Sequence, residues 1–447
     1  MRKEIIIGLV VIVLIGIGVW IAGTRVPALK PIVPTPGLRP AVKKNVIAAV
    51  GNSEKEDTIE AFTEALNEIK QKLGKAKANL VLVYSNVKYD NETGLKMVKE
   101  QLGTDKIFGS SGSFVNMDSE GYYGKGGVTI LALSSDYIRA EIGRAVIKEG
   151  EVPQEMAKKL MGDTIKGEIP DVVLVAPTCA GFEEEILEGF GQVIGREVPI
   201  LGATAGDNSL TGKWVAFAGT EVIPGGFNAG GVAIAAIYTD LKFGYAYTPG
   251  FEATEKSGII TKMEGDRIIK EIDGRPAQEV YNEWMGISYE EWTDVISHQN
   301  PLGSKCTDAR GRERLVVICP FPKIGPDPER NIAIFHDFEE GKRIWLLKGN
   351  WETFLSRART IPEDALVEGD ISSKEETAFG VYFSCIGANL TIPEEHRPKQ
   401  QAYIKEGLAG APFIGVFGIG QQGHISGVGN VYTNLSPVIL VFSQELK

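Results

Sequence analysis

The chain of 447 residues has only four cysteines and four histidines. No Cys-x-x-Cys pair and no His-Glu-x-x-His spacing occurs, and His298, His336, His396 and His424 are scattered, so the sequence offers no metal site and implies no cofactor. Aromatic residues make up 8% and charged residues 23%, a globular usage that excludes a mainly disordered chain. Basic residues are also in deficit. The net charge is -11, and because residues 1–44 carry seven Lys or Arg against one Glu, the remainder sums to -17. An acidic body repels phosphate backbones, which excludes nucleic acid from the expected partners. Glycine is in excess instead, at 53 residues without collagen spacing, so many tight turns and close backbone approaches are expected.

One long apolar run is present. Ile5 to Gly23 carries no charge over 19 residues and follows a short basic start, which matches the roughly 20 residues a membrane-spanning helix needs. A cleaved secretory signal would have a shorter apolar region and a better cleavage site than Ile21-Ala22-Gly23. Residues 1–24 are therefore expected to anchor the chain in the cell membrane by a single pass. Pro27, Pro31, Pro34, Pro36 and Pro40 mark residues 25–44 as an extended Pro-rich linker. Lysine and arginine are more numerous after the run than before it, which favours a cytoplasmic body. The four-residue leader, the stalk and the glycan sequons at Asn91, Asn389 and Asn434 favour an extracytoplasmic one, the topology expected here. Only Met1 to Glu4 would then face the cytoplasm, so a signal would pass through a partner membrane protein or an oligomer.

The body reads as α/β, with repeated strand–helix–strand modules forming mixed sheets. Asn45-Val-Ile-Ala-Ala-Val-Gly51, a helix from Asp57 to Leu73, Leu80-Val-Leu-Val-Tyr-Ser85, a helix at 93–102, the turn Gly109-Ser-Ser-Gly112 and a strand from Gly127 form the first copy. Asp171-Val-Val-Leu-Val-Ala-Pro177, an acidic helix at 183–194, Pro199-Ile-Leu-Gly-Ala-Thr-Ala-Gly-Asp207 and Gly231-Val-Ala-Ile form the second. Phe379-Gly-Val-Tyr-Phe-Ser-Cys385, a helix at 397–408, Pro412-Phe-Ile-Gly-Val-Phe-Gly-Ile-Gly420 and Val438-Ile-Leu-Val form the third. This is the signature of duplicated α/β modules. Between the last two copies, residues 264–277 read as a hairpin with an Asp-Gly turn, and residues 288–330 as an insertion.

The order of these motifs resembles the FIST family, a FIST N domain followed by a FIST C domain. The matching pieces are Asp57 with Ala61 and Ala65, Leu80-Val-Leu-Val-Tyr84, the Gly109 turn, Pro199 to Asn208, Gly230-Gly231-Val232, Thr261-Lys262 with Ile272 to Ala277, Phe383-Ser-Cys385, and Pro412 to Phe417. The resemblance divides the body into a FIST N-like domain at 45–277 and a FIST C-like domain at 278–447. It implies a sensory domain that binds a small polar ligand of the amino-acid-like kind in signal transduction. Two departures stand out. An Arg soon after the Ser-Cys pair and a Gly-Glu-Ile turn near the end are replaced by Ile386-Gly-Ala-Asn389 and Gly420-Gln-Gln-Gly-His424. They suit a different ligand, or a surface or scaffold protein whose site has degenerated.

Ligands of open α/β sheets lie beyond the carboxyl ends of the strands. The candidate ligand-binding residues are therefore Ser110, Ser111, Thr178, Cys179, Thr204, Asp207, Asn208, Ser384, Cys385, Gln421, Gln422 and His424. Asp207 and Asn208 suit an ammonium or hydroxyl, and the Ser and Gly amides a carboxylate. Turn chemistry explains the same residue types. Gly418-Ile-Gly420-Gln-Gln-Gly423 matches a dinucleotide fingerprint, but no helix pattern follows it, so it is expected to line the pocket instead. Cys385 or Cys179 beside His424, or a pocket Ser, would make the protein a hydrolase, and an uncatalytic binder is preferred. In an oxidising compartment Cys306 and Cys319 would close a short disulfide loop; otherwise all four thiols are reduced. Protease added to intact cells is expected to remove the body from the membrane fraction, and full protection would refute the outside topology.

Overall fold

The computed structural model describes residues 44–447 apart from Asn228 and 323–329. The apolar run Ile5 to Gly23 and the Pro-rich linker up to residue 43 lie outside the described residues. Among the described residues, no helix is long and apolar enough to cross a membrane.

Strands buried on both faces build the fold. In Leu80–Ser85, Leu80, Leu82 and Tyr84 face a central core while Val81 and Val83 face an outer one, so the run is continuously apolar. The helix Thr58–Leu73 covers that outer face with Ala61, Phe62, Ala65, Leu66 and Ile69. It starts where the Asp57 carboxylate accepts the Glu60 amide at 3.0 Å, satisfying one of the free donors of the first turn.

This unit occurs three times. Each copy has four strands of its own: Ile47–Ser53, Leu80–Ser85, Ile107–Ser111 and Val128–Ser134; then Ile138–Val146, Val172–Pro177, Ile200–Ala203 and Gly231–Thr239; then Leu241–Tyr247, Thr377–Cys385, Phe413–Gly418 and Val438–Leu446. In every sheet they lie in the order first, fourth, second, third. Only the second and third run parallel.

Each sheet is completed by a guest. Every module emits a hairpin between its third and fourth strands, and that hairpin pairs with the third strand of another module. The hairpin of the first (116–123) joins the third sheet, that of the second (215–224) joins the first sheet, and that of the third (421–433) joins the second sheet. The exchange is cyclic. The inner faces of all three sheets share one core, including Leu82, Phe108, Leu174, Leu201, Phe383 and Val416, with helices packed outside.

Residues 252–348 interrupt the third module after its first strand. They form a separate sheet in the order 313–318, 302–307, 343–348, 252–264, 268–272, 332–334, 320–322. Asp273 and Gly274, with φ of 51° and 74°, make the tight turn between Ile268–Ile272 and Arg275–Pro276. A small core around Ile260, Ile272, Tyr281, Trp292 and Ile344 holds the sheet.

Two readings of the sequence are corrected here. All four cysteines are free. Cys306 lies opposite Arg314, whereas Cys319 follows Ile318, the partner of Leu302, so the two thiols stand at opposite ends of one strand pair and form no disulfide. Cys179 and Cys385 pack in different cores. The sequon asparagines Asn91, Asn389 and Asn434 are buried, so the folded chain presents none of them for glycosylation and the sequons lend no weight to an outside location.

The third residue of each third strand is glycine. A Cβ at Gly109 would fall 1.7 Å from the Val83 carbonyl oxygen, and one at Gly202 would fall 1.9 Å from that of Val175. At Gly415 the nearest atoms belong to the flexible Met117 side chain, at 3.0 Å. Gly109→Ala and Gly202→Ala are each expected to lose about 3 kcal/mol in chemical denaturation, and Gly415→Ala about 1 kcal/mol, within the usual range for overpacking. Equal losses at all three positions would refute a backbone-contact origin of the pattern.

Candidate functional site

The strand ends that carry the predicted residues meet at a junction of all three modules. The Gly206 amide donates to the Ser111 carbonyl (3.1 Å), the Ser113 amide to the Phe417 carbonyl (2.7 Å), and the Ile419 amide to the Thr204 carbonyl (3.0 Å). Ser111 donates through Oγ to the Gly206 carbonyl and accepts the Val215 amide. Thr178 donates to Pro224 and accepts from Gly231, and the Cys179 thiol donates to the Gly231 carbonyl. Thr204 Oγ1 donates to Glu183 and accepts from Gln422. Ser110 and Ser384 are buried within their strands.

Most of this is turn chemistry. Asp207 accepts the Ser209, Thr211 and Lys213 amides and the Thr211 hydroxyl. Burial alone would raise its carboxyl, but these donors hold it below the usual range. Asn208 exchanges two hydrogen bonds with Asn86 and accepts the Phe114 amide. Gln421 differs: it is fully buried beside the Cys385 thiol, and neither of its amide atoms has a hydrogen-bond partner of normal geometry.

Neither Cys385 nor Cys179 is hydrogen-bonded to His424. Cys385 donates to the Ile419 carbonyl, and burial raises its thiol and that of Cys179. His424 stands elsewhere, with Nδ1 2.9 Å from the Tyr245 hydroxyl and Nε2 3.2 Å from the Arg196 carbonyl. The nucleophile and base of the hydrolase reading are thus held apart by the alternation of strand Gln421–Ile425.

A second site was not read from the sequence. Helix Glu183–Ile194 opens with three glutamates, and the interposed sheet brings Arg267, His336 and Asp337 against them. The Arg267 guanidinium bonds Glu184 and Asp337, each at 2.6 Å, and lies 3.6 Å from Glu183. Glu184 also accepts the Asp337 amide at 2.8 Å and meets His336 Nδ1 at 2.7 Å. Burial raises Glu183 and Asp337 against the pull of Arg267, whereas in Glu184 burial is outweighed by His336 and Arg267 and the carboxyl is lowered. The network thus holds one firm carboxylate among several protonatable ones. The signal available in sequence was the Glu183-Glu184-Glu185 run, placed where the helix dipole favours negative charge.

This network forms one wall of a cleft of about 1040 Å3. Lys305, Lys342 and Arg343 of the interposed sheet, Arg196, Glu188, Asp266 and Glu339 also line it, with Trp345 and Tyr432. Glu184, Glu185 and Asp337 bring carboxylate oxygens within 4.8 Å of one another, a spacing a cation would suit, but Arg267 already bridges two of them. A metal ion would have to displace that guanidinium.

Comparison with known proteins places a FIST N domain at residues 79–275 and a FIST C domain at residues 277–424. No curated protein matches the sequence. Among solved structures, the cyanuric acid hydrolase from A. caulinodans aligns at 9% identity over 89% of this chain and 99% of its own, with a TM-score of 0.34. A second cyanuric acid hydrolase structure aligns at 10% identity over 89% and 99%, with a TM-score of 0.27. Phosphoribosylformylglycinamidine synthase II from Thermotoga maritima aligns at 9% identity over 89% and 72%, with a TM-score of 0.21.

Glu185 supplies a test of the acidic wall. One of its oxygens is buried without a partner, and burial followed by the neighbouring Asp337 and Glu184 raises its carboxyl to about 7. A raised carboxyl favours the fold below the unfolded value, and that contribution is lost as pH rises through 7. Glu185→Gln should therefore be neutral near pH 5 and stabilising at pH 8. The gain is about 1 kcal/mol, well short of the full shift because the side chain is only half-buried. Destabilisation at pH 8 would show that the charged form is the one the fold holds.

Proposed function

In a chain that carries a FIST N domain followed by a FIST C domain, we propose that the cleft between helix Glu183–Ile194 and the interposed sheet receives a small, doubly charged ligand of the amino-acid-like kind. FIST domains are sensory small-ligand-binding domains. The observation that carries the reading is that both signs of charge line one cleft: Glu184 and Asp337 with Glu188, Asp266 and Glu339, and Lys305, Lys342 and Arg343 with Arg196, beside apolar area from Trp345. An ammonium and a carboxylate on one small molecule match a lining of both signs, and the aromatic edge accommodates a short apolar side chain. Glu184 and Arg267 lie within the FIST N match and His336 and Asp337 within the FIST C match, so the ligand would contact both parts at once. A change in their contact is the natural carrier of the signal. In this reading Ile5 to Gly23 anchors the chain in the membrane with the body outside, and an oligomer or partner membrane protein conveys the response.

Thermal-shift measurement of the full-length protein against amino acids and small carboxylates tests this. A zwitterionic ligand is expected to raise the melting temperature, and Lys305→Gln to weaken its binding at least tenfold while Gln421→Met leaves it within twofold. The opposite pattern would move the site to the buried junction of the strand ends. No shift with any compound would favour a scaffold role with a degenerate site.

A further inference from the structure

A smaller cavity, of about 270 Å3, lies on the other side of hairpin 421–433 from the cleft. Four arginines border it. Arg310, Arg312 and Arg314 come from the turn and strand that follow Leu302–Thr307, and Arg357 comes from helix Trp351–Glu368. Like charges gathered around one small space repel unless something between them is negative. Three have a carboxylate: Asp308 meets Arg312 at 2.7 Å, Glu368 meets Arg310 at 3.0 Å, and Asp364 meets Arg357 at 2.7 Å. Among the described residues Arg314 has none, and its guanidinium donates to the Tyr247 carbonyl. The arginines therefore exceed the local carboxylates by one, and the unmatched one is half-buried at the cavity.

We infer that this cavity binds a compact, doubly charged tetrahedral oxyanion, either inorganic phosphate or the phosphoryl group of a small phosphomonoester. Guanidinium forks match phosphate oxygens in pairs, and Arg314, the arginine without a carboxylate, would supply one beside Arg310 and Arg312, while Arg357, whose guanidinium is held by Thr248, Thr360 and Asp364, adds positive charge at the wall. A planar carboxylate satisfies one such fork, whereas a tetrahedral anion presents oxygens to several. The volume lies at the lower end of small-molecule sites, so the ligand is a phosphate with at most a short organic part. His424 and Tyr245, hydrogen-bonded to each other at 2.9 Å, form the polar floor. The site is separate from the proposed ligand cleft and has no lining residue in common with it: residues 424–426 of the hairpin and Arg314 of strand Glu313–Ile318 line this cavity, whereas residues 428–432 and Val316 of the same two elements line the cleft.

Calorimetric titration of the full-length protein with inorganic phosphate, at constant ionic strength set by sodium chloride, tests the assignment. Saturable binding is expected, weakened at least tenfold in Arg314→Gln. In Arg314→Lys, which keeps the charge and loses the fork, an intermediate loss is expected. Lys262→Gln, an exposed residue of the same sheet paired with Glu271 and absent from the cavity wall, should bind as the parent does. No saturable heat above the chloride control, unchanged binding in both Arg314 variants, or succinate binding as tightly as phosphate would each overturn it.

Discussion

The cyclic exchange of hairpins is the constraint on which the rest of the structure depends. A third strand left without its guest would present a row of unpaired amides and carbonyls beside an apolar core, and such edges are where sheets aggregate. Here each edge is covered by chain from another module, so no module closes its sheet alone. The same crossing brings the strand-end loops of all three into one hydrogen-bonded junction. That is why so many short polar side chains there are buried: the chains cross close together, and their backbone groups need partners where water is excluded.

Against three sheets of equal strand order, the differences between modules stand out. The helix between second and third strands begins at Asn91 behind Asp90 in the first module and at Lys399 in the third, but at three consecutive glutamates in the second. The third module alone is interrupted by an extra sheet, and that sheet packs against the glutamates. Hairpin 421–433, the guest of the second sheet, separates the two cavities. Both cavities therefore border the departures from the repeat.

The repeated elements were legible because their signals are local. The helix expected from Asp57 to Leu73 appears as Thr58–Leu73 with Asp57 as its cap, and the acidic helix at 183–194 appears with those bounds. The Asp273-Gly274 turn was equally plain. The exchange was not legible, since Asn116–Asp118 and Gln421–Ile425 are short strands whose sequences say nothing about which sheet receives them. Gly418 to Gly423 read as a tight loop lining a pocket, yet Gln421 and Gln422 are strand residues with no exposure. The acidic cleft was missed for a reason of distance: Arg267 is 83 residues from Glu184, and Asp337 is 153 residues away. No spacing rule joins groups so far apart before the fold is known.

The Arg267 network also bears on why such a cluster exists at all. Removing several carboxylates and a guanidinium from water costs more than their mutual attraction readily returns, and well-packed apolar side chains often serve stability as well or better. The cluster is therefore weak evidence of a stabilising role. Glu183 is almost fully buried while its neighbour Glu184 keeps an edge on the cleft, and the two share one guanidinium whose other bond goes to Asp337. Any cation or proton arriving at the cleft changes how that guanidinium is divided among three carboxylates drawn from two parts of the chain. A group placed this way is a poor fastener and a sensitive contact, which is the physical property a ligand-responsive junction between the FIST N and FIST C segments requires.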